Sequence, residues 1–386
     1  MPNRTFRFAT AFLLIAVYFL IYAVFEGLSF PLKDDENHFW PNSQIFSHTW
    51  IPSLHSLSNY NELNTPLPFV VFGWLHKLTN NGLVVGRIFN LLSSLGILLL
   101  LCWQATERNA LWRALVGILI FPYFMATSVL LYTDIQAVFW IVLGFWAWQK
   151  DRAFLSALSF AMAVACRQFA LAFPAALLMQ ELLIVWRTGY FKSRLPMLLA
   201  QLTALASILP WLFLWGGLAP PNTAAGQGLP VDFTLHRFVP ENSLYFMTTL
   251  GAYFVLPELL LRFRSTYFPS LRNPKIWLAL SVLGLLFCLF PPYGNVIDVP
   301  TMGIFDLSIR NLFSDFARLF FFALLAGVAL WRFSRLDLAC LLVLCNVLLM
   351  LKSKVAWDKY LLPLLVVLWW QYATNRREEV TVDTPH

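Results

Sequence analysis

Charge is scarce in this chain. Asp, Glu, Lys and Arg make up 12% of its 386 residues, about half of the roughly 25% usual in soluble domains. That scarcity excludes a disordered chain and a typical soluble enzyme. A Walker A loop and a dinucleotide-type glycine loop are both missing, and with them the usual soluble phosphate cradles. No cytosolic stretch is long enough to form a nucleotide-sugar or ATP domain. There are five cysteines (Cys102, Cys166, Cys288, Cys340 and Cys345), all in or at the ends of apolar runs, with no CxxC pair. A disulfide-stapled secreted domain and a zinc module are thereby excluded, and the cysteines read as small core residues. No internal repeat or low-complexity tract interrupts the chain.

What is present is apolar. Hydrophobic residues reach 59%, with 36 Phe and 16 Trp, and mean hydropathy is +0.67. A helix satisfies its own backbone in lipid, so the expected fold is all-α: a polytopic transmembrane helical protein, one domain over 1–386. The apolar runs predict about twelve spans, near 8–27, 83–103, 112–131, 135–149, 153–166, 169–186, 195–215, 244–261, 276–292, 315–331, 336–351 and 359–373. Phe8 to Phe25 reads as an uncleaved first span, since no small-residue cleavage site follows. The least certain division is 153–186, one long run broken by Arg167 and Pro174.

The net charge of +7 comes in pairs between apolar runs, which speaks for membrane orientation rather than nucleic acid. With Arg4 and Arg7 in the cytoplasm, the short even-numbered loops and the C-terminus collect 17 of the 27 Lys and Arg residues. Both termini are therefore expected to be cytoplasmic. The opposite face carries the long first loop 28–82, a Gly/Pro-rich loop 216–243 and a third loop 293–314. It also holds most of the acids, among them Asp34, Asp35, Glu36, Glu62, Asp134, Asp306 and Asp358. Function is expected there, on loops carrying short helices. The stretch Leu67 to Leu78 is too short to cross and fits a helix lying at that surface. Loop 216–243, with Gly216, Gly217, Gly226 and Gly228, fits a mobile lid.

Four clusters can carry chemistry. Lys33-Asp34-Asp35-Glu36-Asn37-His38 puts three consecutive carboxylates at a membrane boundary. They read either as a solvated loop face or as a general base or cation holder, since a low-dielectric wall raises a carboxylate toward the working pH. Asp134, in Leu131-Tyr132-Thr133-Asp134, reads as a helix cap or a substrate contact. Arg167 and Gln168 sit between apolar stretches; a buried Arg needs an anion, either a helix partner such as Asp134 or a phosphate. Lys352, Lys354 and Lys359, beside Asp358 and Tyr360, break the positive-inside pattern. Either a lipid-linked phosphate site or a different topology explains them. Arg87, Arg237, Arg310 and Lys77 are further cations on the same face. The histidines of the first loop (His38, His48, His55 and His76) match no zinc spacing and fit solvation or sugar hydrogen bonding better than a metal. Trp40, Trp50 and Tyr60 fit an interfacial belt or a sugar-stacking surface.

In this order the pieces resemble the GT-C class of membrane glycosyltransferases, and within it the dolichyl-phosphate-glucose α-1,2-glucosyltransferase family. That family follows its first span with a Met-Asp-Glu-x-Phe-His-x-Pro-Gln type motif, and this chain has KDDENHFWPNSQ. Alignment on Pro41 sets Asp35 and Glu36 on the acidic pair, with His38 where the family has Phe. Asn64-Thr65-Pro66-Leu67-Pro68 is similar to its Thr-Thr-Pro-Pro segment. Gly86-Arg87-Ile88-Phe89-Asn90-Leu91-Leu92 is similar to its Leu-Arg-x-x-Asn-Leu-Leu. Leu131-Tyr132-Thr133-Asp134 resembles its Tyr-Tyr-Thr-Asp, and Arg167-Gln168-Phe169-Ala170 its Arg-Gln-Thr-Asn. Lys359-Tyr360-Leu361-Leu362-Pro363 resembles its Arg-Tyr-x-x-x-Pro. The family's late Ala-Asp-Asn-Arg-His-Tyr motif has no good counterpart; Phe305 to Arg310 is a poor substitute. The matches cover the first half of the chain and the last span, so they favour the glycosyltransferase class over any one sugar, lipid or linkage.

The resemblance implies a hexosyltransferase that moves a sugar from a polyprenyl-phosphate donor, dolichyl-phosphate-like, to a lipid-linked or cell-envelope glycan acceptor. The membrane would be a bacterial plasma membrane or the endoplasmic reticulum. It implies inversion with Asp35 as base (Asp34 being its neighbour and alternative), Glu36 or Asp134 orienting the acceptor, and Arg167, Lys354 and Lys359 on the phosphate. Gln168, Tyr360, His38, Arg87 and Arg237 complete the expected binding set. No cofactor is required, because Arg and Lys alone suit a monophosphate leaving group. The rival reading is a transporter or flippase of a lipid-linked or small anionic substrate. It usually requires polar groups at mid-membrane in two related halves, and neither is visible in this sequence.

Overall fold

The computed structural model describes residues 4–226, 238–261, 273–292 and 303–374, and among them every regular element is a helix. Each of the twelve apolar runs forms a helix or a pair of helices. Five are long and apolar enough to cross a membrane: Arg4–Val24, Gly82–Gln104, Gln168–Thr188, Phe191–Trp215 and Pro240–Leu261. A sixth crossing arises if Arg108–Leu119 and Pro122–Val129, bent by 70° against each other, count as one. The bend follows from Pro122. Proline disfavours the helical conformation in the residue before it, and Phe121 is accordingly extended (φ −75°, ψ 113°). Ala153–Cys166, Pro274–Leu289 and Leu338–Met350 are apolar but shorter. At about 1.5 Å per residue they reach roughly 20–25 Å, less than a hydrocarbon core of about 30 Å.

The exterior is apolar where helices face outward. Phe12, Phe154, Phe213 and Leu260 are all at least 74% exposed, as lipid-facing side chains are. Helices of crossing length and this exterior make the chain an integral, multi-pass membrane protein. Inside, helices approach closely where glycine removes a side chain. A Cβ on Gly117 would collide with the buried Trp369, and one on Gly251 with the backbone of Leu325.

Polar structure gathers at the two ends of the bundle. One end joins residues 28–66, 130–134, 164–168 and 353–361 by hydrogen bonds among them. Here lie the short helices Glu36–Ile45, Leu54–Asn59 and Leu67–Thr79. The last of these is the short apolar run of the first loop, and it buries Phe69, Val70 and Phe72. At the other end Thr106 meets Ala373, Gln149 meets Thr374 and Arg194 meets Asp151. Of loop 216–243, residues 227–237 lie outside the described residues, and Arg237 with them.

Candidate active site

The acidic motif splits into two environments within one helical turn. Asp34 takes a left-handed conformation (φ 47°), and Asp35 then starts the helix Glu36–Ile45 without using its side chain as a cap. Successive helical residues point about 100° apart, so Asp35 and Glu36 face different ways.

Glu36 turns inward and is fully buried. Its Oε1 accepts from Arg87 Nε at 2.8 Å and from the Leu131 amide at 2.6 Å. Its Oε2 accepts from Arg87 Nη2 at 2.6 Å and from the Lys33 amide at 3.0 Å. Arg87 is equally buried. It donates its remaining N–H groups to the carbonyls of Leu28, Phe30 and Pro31 and lies over the Phe30 ring at 4.0 Å. All four carboxylate lone pairs and the whole guanidinium are thus used. The acceptor-orienting role expected of Glu36, and the substrate contact expected of Arg87, have no free atom to act through. The pair is a clasp that ties the acidic loop to the helix Gly82–Gln104.

One turn further along that helix, Asn90 donates to the carbonyls of Leu130 at 2.7 Å and Tyr132 at 2.8 Å, and accepts from Gln136. Glu36, through the Leu131 amide, and Asn90 thereby fix the elbow 130–133 between them. The elbow sets out Tyr132, whose hydroxyl accepts from the Asp35 amide at 3.4 Å. It also sets out Thr133 and Asp134. Asp134 is buried and pairs with Arg167 at 3.0 Å, while Arg167 Nε donates to Thr133 Oγ1. Asp134 is the interhelical carboxylate considered for Arg167, and the two are paired. Arg167 sits at the end of the helix Ala153–Cys166 in extended conformation (φ −153°), which turns its side chain across to that elbow. Gln168 donates to the carbonyls of Leu63 and Leu218, tying two loops together.

Asp35 faces a cation from the far end of the chain. Lys359 Nζ donates to Asp35 Oδ2 in a close ion pair. The Lys359 side chain is 4% exposed and that of Asp35 is 25% exposed, so the pair opens to the outside on the carboxylate side. The ammonium lies over the rings of Trp357 at 3.7 Å and Tyr132 at 5.0 Å. Tyr360 packs on Phe169 and faces Arg167. Lys354 is half-buried in the same loop, and burial lowers its proton affinity. Asp34 and His38 are exposed. The structure therefore brings together Asp35, Asp134, Arg167, Lys359 and Tyr360, sets Glu36 and Arg87 behind them, and leaves Asp34 and His38 on the rim.

Two carboxylates gain weight that the sequence did not give them. Asp358 is buried and accepts from the hydroxyls of Tyr245 and Tyr253 and from the Phe305 amide. Burial raises its proton affinity despite these donors. This knot holds Lys359 from behind. Glu62 is half-buried in the first loop, and its carboxyl is pushed up to about 7, chiefly by burial and then by the nearby Asp35 charge, against the pull of Arg167, a hydrogen bond from the Leu63 backbone and Lys359. An acid in an aperiodic loop carries no sequence signal beyond its position just before the Asn64-Thr65-Pro66 segment. Among the described residues no three His, Cys, Asp or Glu side chains gather as a metal-binding set.

The model of the DIE2/ALG10 family matches residues 49–188. That segment contains Glu62, Thr65, Arg87, Asn90, Asp134, Arg167 and Gln168 and stops short of both Asp35 and Lys359. No curated protein and no solved structure matches the chain. The matched family is one of membrane glycosyltransferases, the dolichyl-phosphate-glucose α-1,2-glucosyltransferases, the same one that the chain's motifs resemble.

Proposed function

We propose that the chain transfers a sugar from a polyprenyl-phosphate donor to a lipid-linked or cell-envelope glycan acceptor, at the extracytoplasmic face and with inversion. The observation that carries this reading is the meeting of Asp35 with Lys359, 324 positions apart, beside the Arg167–Asp134 pair. A base and two cations at one end of a membrane bundle are what the reaction needs. The anionic lipid phosphate arrives sideways from the bilayer and stays near Lys359 and Arg167. Asp35 accepts the proton of the acceptor hydroxyl, whose oxygen bonds to the anomeric carbon. The bond from that carbon to the phosphate oxygen breaks, and the departing phosphate gains a negative charge that Lys359 and Arg167 stabilise. Lys359 serves both partners: it pairs with Asp35 at rest and turns to the phosphate as the carboxylate takes its proton. The part-exposed side of Asp35 is the approach for the acceptor. Both termini then lie in the cytoplasm, on the face opposite the site.

The test is transfer from a panel of polyprenyl-phosphate sugars by the protein in lipid, wild type against Asp35→Asn. Loss of a general base is expected to lower turnover by about 10²–10⁴-fold, with folding and donor binding retained. Wild-type turnover that survives in Asp35→Asn would move the base elsewhere. A wild type that neither turns over nor binds any donor would sink the reading.

A further inference from the structure

Resting on that reading, we infer that Glu62 is a donor-binding residue whose carboxyl must be neutral for an anionic donor phosphate to settle between Lys359 and Arg167. The backbone around Glu62 is held on both sides. The Asn61 amide donates to Asn42 Oδ1 at 2.7 Å, and its carbonyl accepts from Asn42 Nδ2. The Leu63 carbonyl accepts from Gln168, Tyr60 donates to the Asn64 carbonyl, and Thr65 donates to the Val164 carbonyl. The loop is therefore fixed beside Gln168, the neighbour of Arg167, and has little freedom to carry Glu62 away.

The charges there come in matched pairs with Glu62 left over. Lys359 is paired with Asp35 and Arg167 with Asp134, while Glu62 has no ion pair among the described residues. The groups that act on it electrostatically are Asp35, Arg167 and Lys359, with the Tyr60 hydroxyl on its own loop. Two cations and two carboxylates cancel. An ionised Glu62 leaves the cluster at −1, and a polyprenyl-phosphate sugar, a phosphodiester, brings a further −1. A protonated Glu62 leaves the cluster neutral before the donor enters. Its carboxyl, pushed up to about 7, changes form in the range where the protein works. Below that value it is neutral and the donor site is open; above it the repulsion sets in. Linkage makes this reciprocal: donor binding draws a proton onto Glu62 when the pH is above 7.

The protein in lipid nanodiscs, titrated calorimetrically with polyprenyl-phosphate glucose in two buffers of different ionisation heat, reads that proton directly. At pH 8 the wild type is expected to take up close to one proton per donor bound. Its Kd is expected to weaken as pH rises from 6.5 to 8.5, by up to tenfold per unit once Glu62 is ionised. Glu62→Gln, permanently neutral, is expected to bind without uptake and to keep the low-pH affinity throughout. In transfer assays the same dependence appears in the donor KM and not in kcat, a split that a merely structural residue does not produce. Glu62→Ala serves as a second variant should the Gln form not fold. A pH-flat Kd in the wild type, or proton uptake that persists in either variant, overturns the inference alone. A wild type with neither binding nor turnover overturns the functional reading and this inference with it.

Discussion

Asp35 and Glu36 are consecutive carboxylates, and each meets a cation, yet the two ion pairs have opposite characters. Glu36–Arg87 is sealed at 0% exposure with its hydrogen-bonding capacity filled. Asp35–Lys359 keeps a carboxylate that is a quarter exposed, with its ammonium over the Tyr132 and Trp357 rings. A buried pair that is fully hydrogen-bonded contributes shape more than stability, and it becomes costly when one partner is removed. A part-open pair can exchange its partner. The scaffold and the chemistry of one motif thus divide between two adjacent residues.

The contrast can be broken from the sealed side first. Arg87→Met leaves the Glu36 charge buried without a partner and is expected to cost about 3–5 kcal/mol, read as a large fall in unfolding temperature in detergent. Adding Glu36→Leu to it should restore much of that loss, because no buried charge then remains. A smaller effect is expected at Asn90. Asn90→Ala removes the donor to the Leu130 and Tyr132 carbonyls, at about 1–3 kcal/mol for the unsatisfied groups. It should also lower turnover, since the elbow carries Tyr132, Thr133 and Asp134 to the site. The smallest effect belongs to the opposite end of the bundle. There Arg194–Asp151 is a surface pair at 3.3 Å with side chains 36% and 77% exposed. Asp151→Asn is expected to shift stability by roughly 0–1 kcal/mol and leave transfer unchanged. An Asp151→Asn loss as large as that of Arg87→Met would erase the distinction between sealed and open pairs.

Much of the site was legible as separate fragments. Asp35 and Glu36, Arg87, Asp134, Arg167 and Lys359 each stood out as a charge in or beside an apolar run, where charge is expensive. Their shared order carried the resemblance. The role of each was less legible. Whether Glu36 or Asp35 faces the open side depends on the phase at which the helix starts, which the left-handed Asp34 sets. Arg87 looked like a surface cation because its partner lies 51 positions away. Glu62 was visible only as one acid among several. The apolar runs marked where helices form, but not how long they are. The Ala153–Cys166 helix stops where Arg167 leaves it to reach Asp134, and the 108–129 run is folded by Pro122.

Composition and hydropathy by themselves determined that this is a helical, multi-pass membrane chain with its acids gathered in a few loops. These properties are set within about 20 residues, the length of one crossing, and so are written locally. Only the tertiary structure decided which charges neutralise one another. Asp35 with Lys359, Glu36 with Arg87 and Asp134 with Arg167 are separated by 324, 51 and 33 positions. Where water is excluded a charge is held by whatever opposite charge the packing brings within reach, and that choice depends on all the helices at once.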